Sequence, residues 1–318
     1  MGAVPSLAWA VVRGQDIAAG GFAGAGSRTI FQIGSVTKVF TALLLADMAE
    51  RGEVRLSDPA ARYLPGWRGP TGSVTLADLA THTSGLPRLP RSLLWSALLN
   101  PRDPYARYPA ARFVRAARRA LRAGSAGSPY VYSNFGYGLL GYLLGQAAGT
   151  AYQALVTTRI CGPLGLLDTT FTVPGPSQDR MAQGYRRGRT VPDWHLGALA
   201  GAGALYSTAA DLARFLQACL TPATPLEPAI RATLTPRRPI PGGEIGLAWH
   251  HARDGDRRVV WHNGMTGGFS AMIAFDPART VGVAALANSA AAPPSPLDQA
   301  VLGALRLPAV NFPGGPSP

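Results

Sequence analysis

The sequence predicts an α+β protein in which an antiparallel sheet, flanked by helices and closed by both chain ends, surrounds an inserted all-helical region. Three observations predict it. The chain opens with two short strand-like runs, 6–12 and 18–22, around a Gly14-Gln15-Asp16 turn. It closes with four more, 245–250, 258–262, 268–275 and 281–287. Turns at Asp254-Gly255-Asp256 and Asp276-Pro277 separate three of these, as in an antiparallel meander. Between the two ends, most segments carry helical rather than alternating apolar spacing. The expected organisation is a sheet region over 1–55 and 200–310, a mainly helical region over 56–199 and a loose tail over 311–318. Together they are expected to make a single unit.

Composition narrows the function classes. Of 318 residues, 47% are hydrophobic and 15% charged, enough apolar mass for a substantial core. Thirty-eight Gly and 28 Pro imply many turns and long loops. No run of 18 apolar residues exists, so no membrane span is expected. Cys161 and Cys219 are too few for a disulfide framework and read as buried thiols. A formal charge of +13 raises nucleic acid or acidic membranes as partners. The arginines are spread along the chain, however. Their densest cluster, Arg112, Arg115, Arg118, Arg119 and Arg122, reads as the solvated face of a helix, and no nucleic-acid partner is expected. There is no zinc-ligand spacing, P-loop or dinucleotide loop, and the histidines (His82, His195, His250, His251, His262) are scattered. No metal or cofactor is expected. Residues 1–12 lack a basic residue ahead of the apolar run and read as a strand rather than a secretory signal, so a cytoplasmic location is expected. Residues 1–6 fit a myristoylation pattern by letter only.

In chain order, 29–33 is an extended entry to a helix over 36–48. That helix is apolar on nearly every side, the mark of burial, and Gly52 caps its end. Thr75 N-caps a short helix over 76–81. His82 to Pro87 is a turn-rich link, with His82 more readily structural than catalytic. An amphipathic, Arg-rich helix follows over 109–122, then a loop into Tyr130-Val131-Tyr132-Ser133-Asn134. Helices are expected over 135–148, 151–160 and 209–219, with 162–192 irregular. Residues 221–241 hold six prolines and read as a surface excursion. A helix over 297–305 closes the fold, and the tail from 308 is loose.

Chemistry concentrates at Ser35-Val36-Thr37-Lys38. A serine and a lysine three apart at a helix start share one face. A serine oxygen becomes a nucleophile when something takes its proton, and a neutral lysine amine can do so. Bringing that amine from its ordinary pKa of about 10.4 to near 7 costs roughly 4–5 kcal/mol of burial and neighbouring positive charge. The helix N-terminus adds positive potential and offers N–H groups to an oxyanion. Lys38 is the only lysine; the other 29 basic residues are arginines, which stay protonated and make poor bases. Two further pieces accompany the pair. Tyr132-Ser133-Asn134 offers a phenol and an amide two apart at a loop-to-helix junction. His262-Asn263-Gly264-Met265 ends a strand with a glycine that permits close backbone approach.

In this order, with these neighbours, the three pieces resemble the serine β-lactamase and penicillin-binding-protein superfamily, nearest the class C β-lactamases and their esterase and D-aminopeptidase relatives. The resemblance runs over 6–305. It implies the β-lactamase/transpeptidase-like fold. It also implies that Ser35 is acylated, that Lys38 takes or relays its proton, and that Tyr132 serves as base and then acid. Asn134 would hold Lys38 and the substrate, with the oxyanion facing the N–H groups of Ser35 and Met265. A cationic Lys38 would help ionise Tyr132; which of the two is the base stays open. The third motif departs from the Lys-Thr-Gly of class C enzymes. His262 replaces a cation with a group expected to titrate near pH 6.5, as in esterase and peptidase-like members. The segment after Pro87 lacks the class C glutamine. The implied activity is a serine hydrolase acting on a small ester, amide or lactam. The alternatives are a biosynthetic acyltransferase or cyclase and a non-catalytic penicillin-binding or sensor module. Oligomeric state is not legible.

Overall fold

The computed structural model describes residues 5–68 and 73–306. The myristoylation pattern at the N-terminus and the tail from 308 lie largely or wholly outside them.

The chain enters through β1 (Leu7–Arg13) and β2 (Asp16–Phe22), passes β3 (Phe31–Gln32) and a helical turn, Gly34–Val36, and runs into α1 (Thr37–Glu50). The next helices are α2 (Leu76–Ala80), α3 (Leu93–Leu99), α4 (Ala110–Ala123), α5 (Asn134–Ala148) and α6 (Tyr152–Leu155). A π-helical turn, Val156–Cys161, prolongs α6. A small hairpin of β4 (Tyr185–Arg186) and β5 (Arg189–Thr190), a 3₁₀ segment Gly197–Ala202 and β6 (Tyr206–Ser207) lead to α7 (Ala209–Leu220) and α8 (Glu227–Leu234). The chain ends in β7 (Arg238–Ile240), β8 (Gly243–Ile245), β9 (His250–Asp254), β10 (Arg257–Met265), β11 (Ser270–Asp276), β12 (Val281–Ala287) and α9 (Pro296–Arg306).

Eight of these strands form one antiparallel sheet in the order β2-β1-β12-β11-β10-β9-β8-β7. As the sequence predicts, the two chain ends close it: β1 pairs with β12 from Leu7↔Ala287 to Arg13↔Val281. The strands β11 and β12 are buried along almost their whole length. Such strands need cover on both faces. One face meets the main core. The other meets α9 through Met272, Val283, Val301 and Leu305. In the main core Phe40, Phe215, Trp249 and Phe275 form a ladder with centroid spacings of 4.4, 6.2 and 5.3 Å.

Helix α1 is buried on every side from Thr37 to Met48. It stops where Gly52, at φ +72°, lets its N–H and that of Glu53 donate back to the Ala49 and Met48 carbonyls. A buried, well-terminated helix is a rigid support for whatever stands at its start.

Two expectations need correction. The run 245–250 is not a strand. It turns at Gly246 and Ala248, and its Leu247 and Ala248 N–H groups donate to Thr233 O and Ala80 O instead of to a neighbouring strand. Within 221–241 lies helix α8, which buries Ala229 and Ile230. Its Pro228 sits in the first turn, where a missing N–H costs nothing.

Candidate active site

From residue 30 to residue 48 every side chain is buried except that of Ser35. Two glycines make room around it. Gly34 has φ +49°, and a Cβ there would lie 2.7 Å from the Met265 O and 2.8 Å from its N. Gly264 presses on the Ile33 carbonyl, and its Cβ would stand 2.9 Å from the Ser35 N. The end of β10 therefore lies main chain against main chain with the turn that carries Ser35.

Lys38 is completely buried one turn further on. Its Nζ reaches the Ala202 carbonyl at 2.6 Å, Asn134 Oδ1 at 2.8 Å and Ser35 Oγ at 3.0 Å. The first two partners only accept, so they take two N–H groups. The third direction points at the serine. An ammonium would donate there; a neutral amine turns its lone pair there and accepts the hydroxyl proton. Burial, and then the charge of Arg88, hold the Lys38 pKa well below the ordinary lysine range.

The loop 82–88 clasps the segment that carries Tyr132 and Asn134. The N–H groups of Val131 and Phe135 donate to the carbonyls of His82 and Arg88. The Ser133 N–H donates to His82 Nδ1 at 3.0 Å, and the Ser133 hydroxyl donates to Pro87 O at 2.7 Å. Ser133 also N-caps α5, accepting from the Gly136 N–H at 2.8 Å. His82 thus positions the segment as a buried acceptor, at an uncommon φ of +61° for a residue with a side chain.

The Tyr132 ring lies 4.9 Å from Lys38 Nζ and 4.5 Å from the His82 ring. Burial pushes its phenol above the ordinary tyrosine range, partly opposed by a hydrogen bond with the Ser35 side chain. The expectation that a cationic Lys38 ionises Tyr132 is therefore reversed. The same dry environment favours the neutral amine and the neutral phenol.

His262 is completely buried on β10. Its Nδ1–H donates to Asn263 O at 2.7 Å, leaving Nε2 as an acceptor without a partner among the described residues. Burial, then His250 and Lys38, push its pKa well below 6.5, so it does not titrate near pH 6.5 as the sequence suggests. His250 stands 5.4 Å away, ring to ring, and is itself pushed down to about 4 by burial and Lys38. Among the described residues no three His, Cys, Asp or Glu side chains converge as a metal site.

A family model described as Beta-lactamase matches residues 1–307. This chain belongs to the beta-lactamase family. Among curated members of that family, it is 31% identical over 281 residues to the D-alanyl-D-alanine-carboxypeptidase/endopeptidase AmpH of Escherichia coli strain K12, covering 80% of this chain and 69% of that protein. It is 30% identical over 296 residues to a beta-lactamase of Pseudomonas fluorescens, covering 82% and 79%. The fold is similar to that of a class C beta-lactamase from Rhodobacter sphaeroides, with a TM-score of 0.78, 25% identity and 91% of each chain covered. It is also similar to an octameric penicillin-binding protein homologue from Pyrococcus abyssi, with a TM-score of 0.82, 25% identity and coverage of 95% of this chain and 73% of that one.

The structure brings together the eight residues singled out from the three motifs of this beta-lactamase-family chain. It adds others that sequence reasoning missed. The Ala202 carbonyl ends the 3₁₀ segment Gly197–Ala202; its signal was the small-residue run 201–204, which lets that segment approach Gly138 and Gly141 of α5. The Arg88 guanidinium lies over the Tyr132 ring at 5.3 Å. Tyr105 hydrogen-bonds Asn134 and packs on Trp194 at 5.3 Å. Nothing in their local sequence marks Arg88 or Tyr105, because only the chain's return past α5 brings them to the cleft.

Proposed function

We propose that this chain is a serine hydrolase that forms an acyl-enzyme on Ser35 and cleaves an ester or amide bond of a small substrate. The observation that carries this reading is the seat of Lys38. A buried amine with two N–H groups committed to Asn134 and Ala202 has one direction left, and Ser35 Oγ is in it at 3.0 Å.

Lys38 takes the Ser35 proton as Oγ attacks the carbonyl carbon. The oxyanion faces the N–H groups of Ser35 and Met265, whose main chains the two glycines bring together. Tyr132, kept as a phenol, gives a proton to the departing alcohol or amine and is reprotonated from Lys38. Water then attacks the ester and the proton transfers run backwards. The activities for which the relatives are named, beta-lactamase and D-alanyl-D-alanine carboxypeptidase, are chemistry of this kind.

With His262 neutral, the third motif offers an acceptor in place of a cation. We assign the substrate's carboxylate, where it has one, to Arg88. Arg88→Gln is expected to raise KM about tenfold for a carboxylate-bearing amide and to leave KM for a neutral p-nitrophenyl ester unchanged. Equal effects on both substrates would remove Arg88 from recognition.

Intact-protein mass spectrometry after brief exposure to a fluorophosphonate, a p-nitrophenyl ester and a penicillin tests the whole reading. Adducts on Ser35 with the first two, rapid return to native mass after the ester, and no adduct on Ser35→Ala are expected. A persistent penicillin adduct would shift the reading toward a penicillin-binding, peptidase-like role. Absence of any adduct on Ser35 would overturn it.

A further inference from the structure

Helix α3 carries an outward stripe of four large apolar side chains, Leu94, Trp95, Leu98 and Leu99, between 67% and 77% exposed. They are half of the strongly exposed large apolar residues among those described. The spacing i, i+1, i+4, i+5 puts them on one face, while Leu93 and Ser96 turn inward. Beside α3 lies a groove of about 1050 Å³, floored by residues such as Leu86, Pro90 and Phe135. Its rim holds Arg91, Arg112, Arg115 and Arg119. None of the four guanidinium groups forms a salt bridge or hydrogen bond with a described residue, whereas that of Arg118, on another side of α4, donates to Pro65 O. Residues 88–122 contain nine arginines and one acid, Asp103, so this stretch carries much of the chain's +13. Val131, next to Tyr132, lines the same groove.

We propose that the α3 stripe and the arginine rim dock this protein on the surface of an anionic lipid bilayer, with the mouth of the cleft beside it. Leucine and tryptophan enter the acyl boundary while the guanidinium groups meet phosphate. A single bound amphiphile would account for Trp95 and Leu99, which line the groove, but not for Leu94 and Leu98, which do not. A second copy of the chain would set two arginine rims against each other, which like charge disfavours. The bilayer accounts for both the outward leucines and the free positive charge.

The test is co-sedimentation of the full chain with vesicles of phosphatidylcholine alone and of phosphatidylcholine with phosphatidylglycerol in equal parts, at low and high salt. Partition onto the anionic vesicles is expected to be at least about a hundredfold stronger and to weaken with salt. Leu98→Gln with Leu99→Gln, and separately Arg112→Gln with Arg115→Gln and Arg119→Gln, should each lower it about tenfold or more. Both variants change exposed side chains and should keep the wild-type melting temperature and ester turnover. Equal partition onto both vesicles, no partition, or partition that neither variant reduces would overturn the proposal. Stoichiometric binding of monomeric short-chain phosphatidylglycerol without vesicle binding would reassign the groove to a single amphiphile. Self-association lost in the leucine variant would reassign the face to a second copy.

Discussion

Lys38 and the arginines of the α4 rim carry the same formal charge in the sequence and live in opposite surroundings. Lys38 has no exposed surface, three oxygen partners and a pKa pushed down by burial. Arg112, Arg115 and Arg119 stand exposed, with no salt bridge to a described residue. In the dry floor of the cleft a cation is costly, and lysine can respond by losing its proton. On the wet rim a cation costs little, and arginine keeps its charge at any working pH. Placing the one lysine in the floor and arginines on the rim uses that chemical difference. The floor is also where His82, His250 and His262 are held neutral.

The largest expected effect separates floor from rim by acid. His82, His250, His251 and His262 all have pKa values below 6.5 in the folded chain, His250 and His251 at about 4. The unfolded chain protonates them near 6.5, so it binds more protons than the folded chain below that pH. Their contribution to stability is complete above 6.5 and is lost as pH falls toward 4. Each adds up to about 1.4 kcal/mol per pH unit in that window. Denaturation midpoints measured from pH 7.5 to 4 should drop steeply; a flat profile would mean that the histidine cluster is not dry.

Next comes Lys38→Arg. It puts a permanent cation where the neutral amine sits and removes the titratable group. Turnover of a p-nitrophenyl ester should fall about a thousandfold, and a fixed cation in the dry seat should cost about 3–5 kcal/mol of stability. Retention of most activity would show that Lys38 does not act as the base. Ser133→Ala removes an N-cap and the bond to Pro87 O, for about 1–2 kcal/mol by denaturant titration. An unchanged midpoint would show that the clasp holds without it. The smallest effect belongs to the rim, where Arg115→Gln should leave the denaturation midpoint in place. A clear loss would reveal a structural role for that arginine.

Much of this was legible in the chain. Burial of α1 followed from apolar residues on all its sides, and its end at Gly52 from the need for a left-handed residue there. The sheet's closure by both chain ends followed from strand-like runs at 6–22 and 258–287. Helix α8 was hidden by its flanking prolines, and the turn at Gly246 by the apolar letters around it. Arg88 and Tyr105 carried no local signal at all.

What the sequence determines by itself is the inventory and its order: a serine three before the only lysine, a Tyr-x-Asn at a helix start, a glycine after His262, and apolar periodicities that choose helix or strand. These are local properties, set within a few residues by backbone sterics and side-chain spacing. What only the tertiary structure decides is the protonation and aim of those groups. Lys38 meets Asn134 across 96 residues and Ala202 across 164, and those distant oxygens orient its lone pair. His262 is neutral because the sheet and the helices bury it beside His250 and Lys38. The leucine stripe of α3 stands beside the α4 arginines because the fold leaves that stripe uncovered. Desolvation and long-range hydrogen bonding depend on what surrounds a residue in space, and the letters next to it along the chain do not contain that information.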